Sequence, residues 1–196
     1  MSKWLPVPLL FVFLTSVAAL AQNNIRPDTS PRVPPQAGQG LPLEDRQFLS
    51  RATNLSEAEV EAGKLAEKSS NPAVRDLGRA IGAEHGKLRD AVARLAQQNG
   101  GAVQSHPSRA WWAAELQRIA GLTGEEFDRN YLNWQLQTYL ALVKIYQQQA
   151  SNAAGTDLSK FAITTMNQLQ RDFDQAKRLG AAHGIAIETI KQPPQY

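Results

Sequence analysis

Residues 55–98 read LSEAEVEAGKLAEKSSNPAVRDLGRAIGAEHGKLRDAVARLAQQ and contain two helical patterns joined by a very short turn. Apolar residues recur at spacings of three and four on both sides of that turn. Asn71 is a favourable helix cap, and Pro72 loses no hydrogen bond at the first helical position. A connection of about one or two residues between long helices predicts an antiparallel hairpin.

The same spacing continues along the chain, and no run alternates with a period of two for long enough to form a strand. We predict long helices over residues 43–69, 72–98, 123–151 and 157–183, and a short helix near residues 110–121. Thr156 or Asp157 is expected to cap the last long helix, and His183 with Gly184 to end it. The predicted fold class is all-α, an antiparallel four-helix bundle with one short extra helix between the second and third long helices.

The first 21 residues have the pattern of a signal peptide. Lys3 supplies the positive charge, an apolar stretch follows, and small residues stand at Ala19 and Ala21. We therefore expect an exported protein of the periplasm or cell envelope, without a transmembrane span after cleavage. The alternative is an uncleaved membrane anchor, which is disfavoured because a span needs about 20 apolar residues.

The composition predicts three segments in the exported part of the chain. Residues 22–42 contain five prolines and two glycines, which predicts a disordered linker. The bundle domain is expected over residues 43–184, followed by a flexible tail over residues 185–196.

Charge and missing motifs narrow the function. The formal net charge is only +3, and basic residues are interspersed with acidic ones, so we expect no nucleic-acid partner. The chain has no cysteine, which excludes disulfides and thiolate chemistry, and it lacks the Gly-x-Ser-x-Gly and His-Glu-x-x-His motifs of hydrolases. No feature of the sequence decides whether the protein is an enzyme, but the missing motifs favour a protein without enzymatic activity. An envelope protein or surface is the expected partner.

Polar residues interrupt the apolar stripes at mid-height. Counted from the first turn, Glu59 and His85 differ in height by roughly 6 Å, which is within side-chain reach. In the second hairpin, Gln135, Tyr139 and Asp172 lie on the inner stripes. If both hairpins pack with their turns at the same end, all five side chains converge on one layer.

Two interpretations of this layer stay open. In the first, it is a closed hydrogen-bonded network, in which a carboxylate holds His85 and Tyr139 donates to Asp172. In the second, Glu59, His85 and Asp172 bind a divalent metal ion of unknown identity, oriented by Gln135 and Tyr139. The chain has no Glu-x-x-His motif, which di-iron carboxylate bundles require, and no other cofactor is expected.

Trp111 and Trp112 are adjacent in the short helix and cannot both face one core. We expect one ring to pack at the end of the bundle and the other to be partly exposed. Packing explains both rings, and a binding role for the exposed one stays open.

The chain resembles the exported, ferritin-like helical domain of unknown function of the DUF4142 type, often labelled "predicted outer membrane protein". The resemblance covers about Leu43 to Ala182, and its best markers are Glu59-x3-Gly63-x-Leu65-Ala66, Glu84-His85 and Phe127-Asp128-x2-Tyr131. It implies a ferritin-like fold and ligand-like roles for Glu59 and His85 only. Family members usually carry further histidines where this chain has Tyr139 and Asp172, and these departures weaken an inherited metal function.

Overall fold

The computed structural model describes residues 41–101, 103, 108–152 and 156–191. These residues form α-helices without any strand, which confirms the all-α class. The helices are α1 (Leu43–Leu65), α2 (Pro72–Gln98), α3 (Ser108–Ala120), α4 (Gly124–Asn152) and α5 (Asp157–Ala182), with short 3-10 helices at Ala66–Lys68 and Ile187–Thr189. Within the described part of the chain, no helix combines the length and the apolar character that a membrane crossing needs. The predicted signal peptide and nearly all of the predicted linker lie outside the described residues.

Local chemistry sets the helix ends. The side chain of Asn71 accepts a hydrogen bond from the Ala73 amide at 2.9 Å and caps α2. Thr156 caps α5 in the same way, and Gly184 follows it with a φ of 72°. The first α-helix is shorter than predicted, because the chain tightens into a 3-10 turn after Leu65 and is extended at Ser69.

The helices pack as two hairpins, α1 against α2 and α4 against α5. α1 also contacts α3 and α4, and α2 contacts α5. Because Gly63 has no side chain, α1 approaches α2 very closely: a Cβ atom at Gly63 would lie 2.7 Å from the carbonyl oxygen of Gly78 and 2.8 Å from the Cα atom of Gly82.

Contacts between helix ends fix the helix directions. At the start of α1, Asp45 accepts a hydrogen bond from Gln149, near the end of α4, at 2.8 Å. Beyond the end of α1, Ser69 donates to Asp128, near the start of α4. α1 and α4 therefore run antiparallel, and the two hairpin turns lie at opposite ends. The condition considered above, that both turns lie at the same end, is therefore not met.

The two tryptophans of α3 behave as expected. Trp112 is buried, with 6% of its surface exposed, while Trp111 is half-buried and stacks on Trp134 of α4 at 5.6 Å between ring centroids. Their packing attaches α3 to the core.

Packed residues also continue past Gly184, where the predicted tail begins. Ile185, Ile187 and Ile190 are half-buried against the core, because apolar side chains recur along this stretch. The flexibility of residues 185–196 stays a prediction.

Candidate functional site

Five polar side chains come from the four long helices, and we call them the polar layer: Glu59, His85, Gln135, Tyr139 and Asp172. Glu59, Gln135 and Tyr139 are fully buried and His85 is 1% exposed. Asp172 is half-buried. Four of the five therefore depend on protein partners instead of water.

Tyr139 connects three helices in this layer. Its hydroxyl lies 3.2 Å from Nε2 of His85, and the two rings meet edge to face. It also faces the Asp172 carboxylate, which accepts a hydrogen bond from Gln168 at 2.8 Å. Gln135 donates instead to the hydroxyl of Tyr131 at 3.1 Å.

A hydrogen bond between Glu59 and His85, which the spacing of the two helices allows, does not form. The Glu59 carboxyl faces Gln135, Thr138 and Trp134 of α4. Among the described residues, neither carboxyl oxygen of Glu59 has a hydrogen-bond partner. Nδ1 of His85 also has none among them. Spacing along the two helices gave the relative height of these side chains, but not their direction around each helix axis.

Burial sets the protonation of the layer. Desolvation raises the pKa of Glu59 to about 8 and lowers that of His85 to about 4. Desolvation also raises the pKa of Asp172, while the hydrogen bond from Gln168 and the nearby hydroxyl of Tyr139 oppose that shift. At neutral pH, Glu59 therefore holds its proton and His85 is uncharged.

This geometry does not assemble the predicted metal ligands. Metal ligation needs deprotonated donors that share one centre. Throughout the described ranges, one group of three histidine or acidic side chains offers ligand atoms within 4.8 Å of one another, and its members are Glu125, Asp128 and His183. Glu59, His85 and Asp172 do not form such a group.

We call Glu125, Asp128 and His183 the end cluster, because they meet beside the first hairpin turn. Nδ1 of His183 lies 2.9 Å from a carboxylate oxygen of Glu125. Asp128 is 3% exposed and accepts a hydrogen bond from Ser69. Sequence reasoning treated His183 only as a helix end and missed the two acidic residues. The signal was present in the second turn of helix α4, where a polar Asp128 stands among buried residues.

The Asn71 side chain fixes the tautomer of His183. Because Oδ1 of Asn71 accepts from the Ala73 amide, its amide nitrogen is the atom that faces Nε2 of His183 at 3.2 Å. That nitrogen donates, so Nε2 carries the lone pair. The ring proton therefore lies on Nδ1 and is donated to Glu125.

His85 and Asp172 also line a cavity of about 240 Å³ between α2 and α5, which we call the α2–α5 groove. The remaining lining residues are Glu84, Lys87, Leu88, Ala91, Thr165, Gln168 and Leu169. The polar layer thus borders a recess on this side of the molecule.

Comparisons with known proteins give the family. The model of the family described as "Domain of unknown function (DUF4142)" matches residues 30–179. Neither a curated protein nor a solved structure matches the chain. The matched range includes the whole polar layer but stops before His183, so the end cluster extends beyond it. With most of its length matched, the chain belongs to the DUF4142 family of domains of unknown function.

Proposed function

We propose that this protein is an exported, non-enzymatic helical bundle of the cell envelope, which acts through contacts with an envelope protein or surface. The observation that carries the non-enzymatic part is the enclosure of Glu59, which is fully buried and faces other side chains of the core. A catalytic acid or base has to come within hydrogen-bond distance of its substrate. The enclosed Glu59 side chain therefore has a structural role, not a catalytic one.

The helix directions support a ferritin-like arrangement. α1 and α4 run antiparallel, and Asn71 at the start of α2 contacts His183 at the end of α5. α2 and α5 are therefore antiparallel as well. Such directions require one long connection between the hairpins, which residues 99–123 supply and which is the connection that ferritin-like bundles use.

Export is tested through the N-terminus of the protein isolated from cell fractions. We expect the mature chain to begin at Gln22 and to be found in the envelope or periplasmic fraction. Ala21→Phe removes the small residue before the cleavage point and should leave the precursor uncleaved. An unprocessed wild-type chain in the cytosol would contradict the proposal.

Binding of a divalent metal ion is a second candidate function, which the end cluster favours. Two carboxylates and an imidazole suit ions such as Zn²⁺, Mn²⁺ or Fe²⁺. The hydrogen bonds of His183 oppose metal binding. A metal on Nδ1 moves the ring proton to Nε2, and the resulting N–H group then faces the Asn71 amide, which is itself a donor. Asn71 then has to turn and lose its helix cap, which costs about 1 kcal/mol.

This candidate makes a specific prediction for Asn71→Asp. The aspartate keeps an oxygen for the Ala73 amide and offers a second oxygen to an Nε2–H group, so Zn²⁺ should bind at least about fivefold more tightly than to the wild type. Isothermal titration with Zn²⁺ measures the change. His183→Gln should abolish binding and His85→Gln should leave it intact. Zn²⁺ binding that is lost in His85→Gln would assign the ion to the polar layer, and absence of binding in all variants would reject the metal function.

A further inference from the structure

The α2–α5 groove has features of a ligand site that the polar layer alone does not explain. Its volume of about 240 Å³ lies below the roughly 300–1,000 Å³ of pockets for drug-sized molecules. It therefore suits a ligand of only a few heavy atoms. Leu88, Ala91 and Leu169 supply apolar wall to the groove.

The charges of the groove are not balanced. Lys87 pairs with Glu84 at 2.8 Å, on the same helix. Asp172 has no salt bridge with a cationic side chain of the described residues; it accepts a hydrogen bond from the neutral Gln168 and faces the neutral Tyr139. Arg171 interacts with Asp172 only through its charge, and its guanidinium donates a hydrogen bond to Gln168 instead. One half-buried carboxylate beside an apolar wall is thus left without a cation in contact.

A second observation points to the same recess. His85 lines the groove, is 1% exposed, and has no hydrogen-bond partner at Nδ1 among the described residues. Buried ring nitrogens are normally paired with protein groups or water. A residue that lines the groove therefore carries a buried ring nitrogen without a hydrogen-bond partner among the described residues.

We propose that the α2–α5 groove binds a small organic cation, a primary ammonium with an apolar body of a few carbons. The ammonium is bound by the carboxylate of Asp172, and the carbon chain covers Leu88, Ala91 and Leu169. A charge-assisted hydrogen bond at a half-buried carboxylate is stronger than one between neutral groups. Contact between the ligand's carbon chain and the apolar wall adds favourable burial of apolar surface. This inference does not rest on export or on metal binding.

Three probes of equal length test the proposal: n-butylammonium, 1-butanol and butyrate. Each is titrated into the purified, isotopically labelled protein, and NMR shifts are followed. We expect butylammonium to bind about five- to tenfold more tightly than butanol, and butyrate to bind most weakly. The resonances that move should include the ring of His85 and exclude that of His183. Equal affinity for butylammonium and butanol, or shifts centred elsewhere, would overturn the proposal.

Variants separate a specific site from general attraction to an acidic surface. Asp172→Asn should lower the affinity for butylammonium by about five- to tenfold. Asp174→Asn is the matched control, because Asp174 is on the same helix, pairs with Lys177 at 2.8 Å and does not line the groove. Ala91→Phe should fill the recess and abolish binding while the far-ultraviolet circular dichroism stays unchanged. An equal loss of affinity in both aspartate variants, or full binding by Ala91→Phe, would contradict the assignment. It would also be contradicted if Mg²⁺ alone caused the same NMR shifts as butylammonium.

Discussion

Gly63→Ala is expected to destabilise the protein by about 2 to 3 kcal/mol, because the new methyl group has no space between α1 and α2. It would lie 2.7 Å from the carbonyl oxygen of Gly78 and 2.8 Å from the Cα atom of Gly82. Both are backbone atoms, so no side-chain rotation relieves the clash. The two helices have to separate along their contact, and the core beneath them loses packing.

Gly86→Ala provides the matched control. This position is also inside a helix, but an added Cβ atom would meet only a methyl group of Val60 at 3.9 Å. Since alanine is the better helix former, we expect a gain of roughly 0.5 to 1 kcal/mol. Urea unfolding of both variants measures the difference. Equal stability of Gly63→Ala and wild type would show that α1 and α2 are not held at this close distance.

Glu59→Gln is expected to change how stability depends on pH. The pKa of Glu59 is raised by burial from 4.5 to about 8, so the unfolded chain gives up this proton at a lower pH than the folded protein. The contribution of Glu59 is therefore fully present below pH 4.5 and is lost as the pH rises toward 8. The loss approaches roughly 4 to 5 kcal/mol over that range, since one pKa unit corresponds to about 1.4 kcal/mol.

His85 acts in the opposite direction. Its pKa is lowered by burial from 6.5 to about 4, so its contribution is present above pH 6.5 and is lost as the pH falls toward 4. Between pH 4.5 and 6.5 the two effects cancel. From pH 6.5 to 8 only the loss from Glu59 remains, so the wild-type free energy of unfolding should fall by roughly 2 kcal/mol.

Urea unfolding at several pH values distinguishes the two profiles. Glu59→Gln should remove the fall above pH 6.5 and reveal a rise from pH 4.5 to 6.5, which belongs to His85. Glu61→Gln is the control, because Glu61 is exposed and pairs with Lys64. Parallel profiles for wild type and Glu59→Gln would mean that the Glu59 carboxyl is not buried as a neutral group.

The helices were predictable because their signals are local. Asn71-Pro72 and Thr156 each mark a helix start through hydrogen bonds to residues only a few positions away. The stripes of apolar residues then identified the buried faces without knowledge of the partner helix. The largest difference is at the end of α1, where the chain tightens into a 3-10 turn.

The relative placement of the hairpins was not predictable, because it depends on contacts between distant residues such as Asp45 with Gln149. The grouping of His85, Tyr139 and Asp172 nevertheless formed, since these three residues lie near the middle of their helices, whereas Glu59 lies closer to the end of α1. Reversing one hairpin end for end moves a central residue very little. Tyr139 therefore meets His85 although the assumed orientation was wrong.

Side-chain directions were the other missing information. Spacing placed Glu59 and His85 at similar heights, but Glu59 faces α4 while His85 reaches Tyr139 and the α2–α5 groove. The end cluster likewise joins residues from helix ends that are far apart in sequence. A single sequence contains no periodic signal for such a meeting.

The opposite placement of the two hairpin turns has a practical consequence for protein engineering. The start of α1 lies beside the end of α4, whereas the end of α5 lies beside the start of α2, so the entry and exit of the domain are a full bundle length apart. α5 has 26 residues and spans roughly 39 Å. A circular permutant that joins these points needs a linker of about 12 extended residues. Halves of a split reporter fused directly to Leu43 and Ala182, without the flanking segments, should therefore fail to reassemble within one molecule.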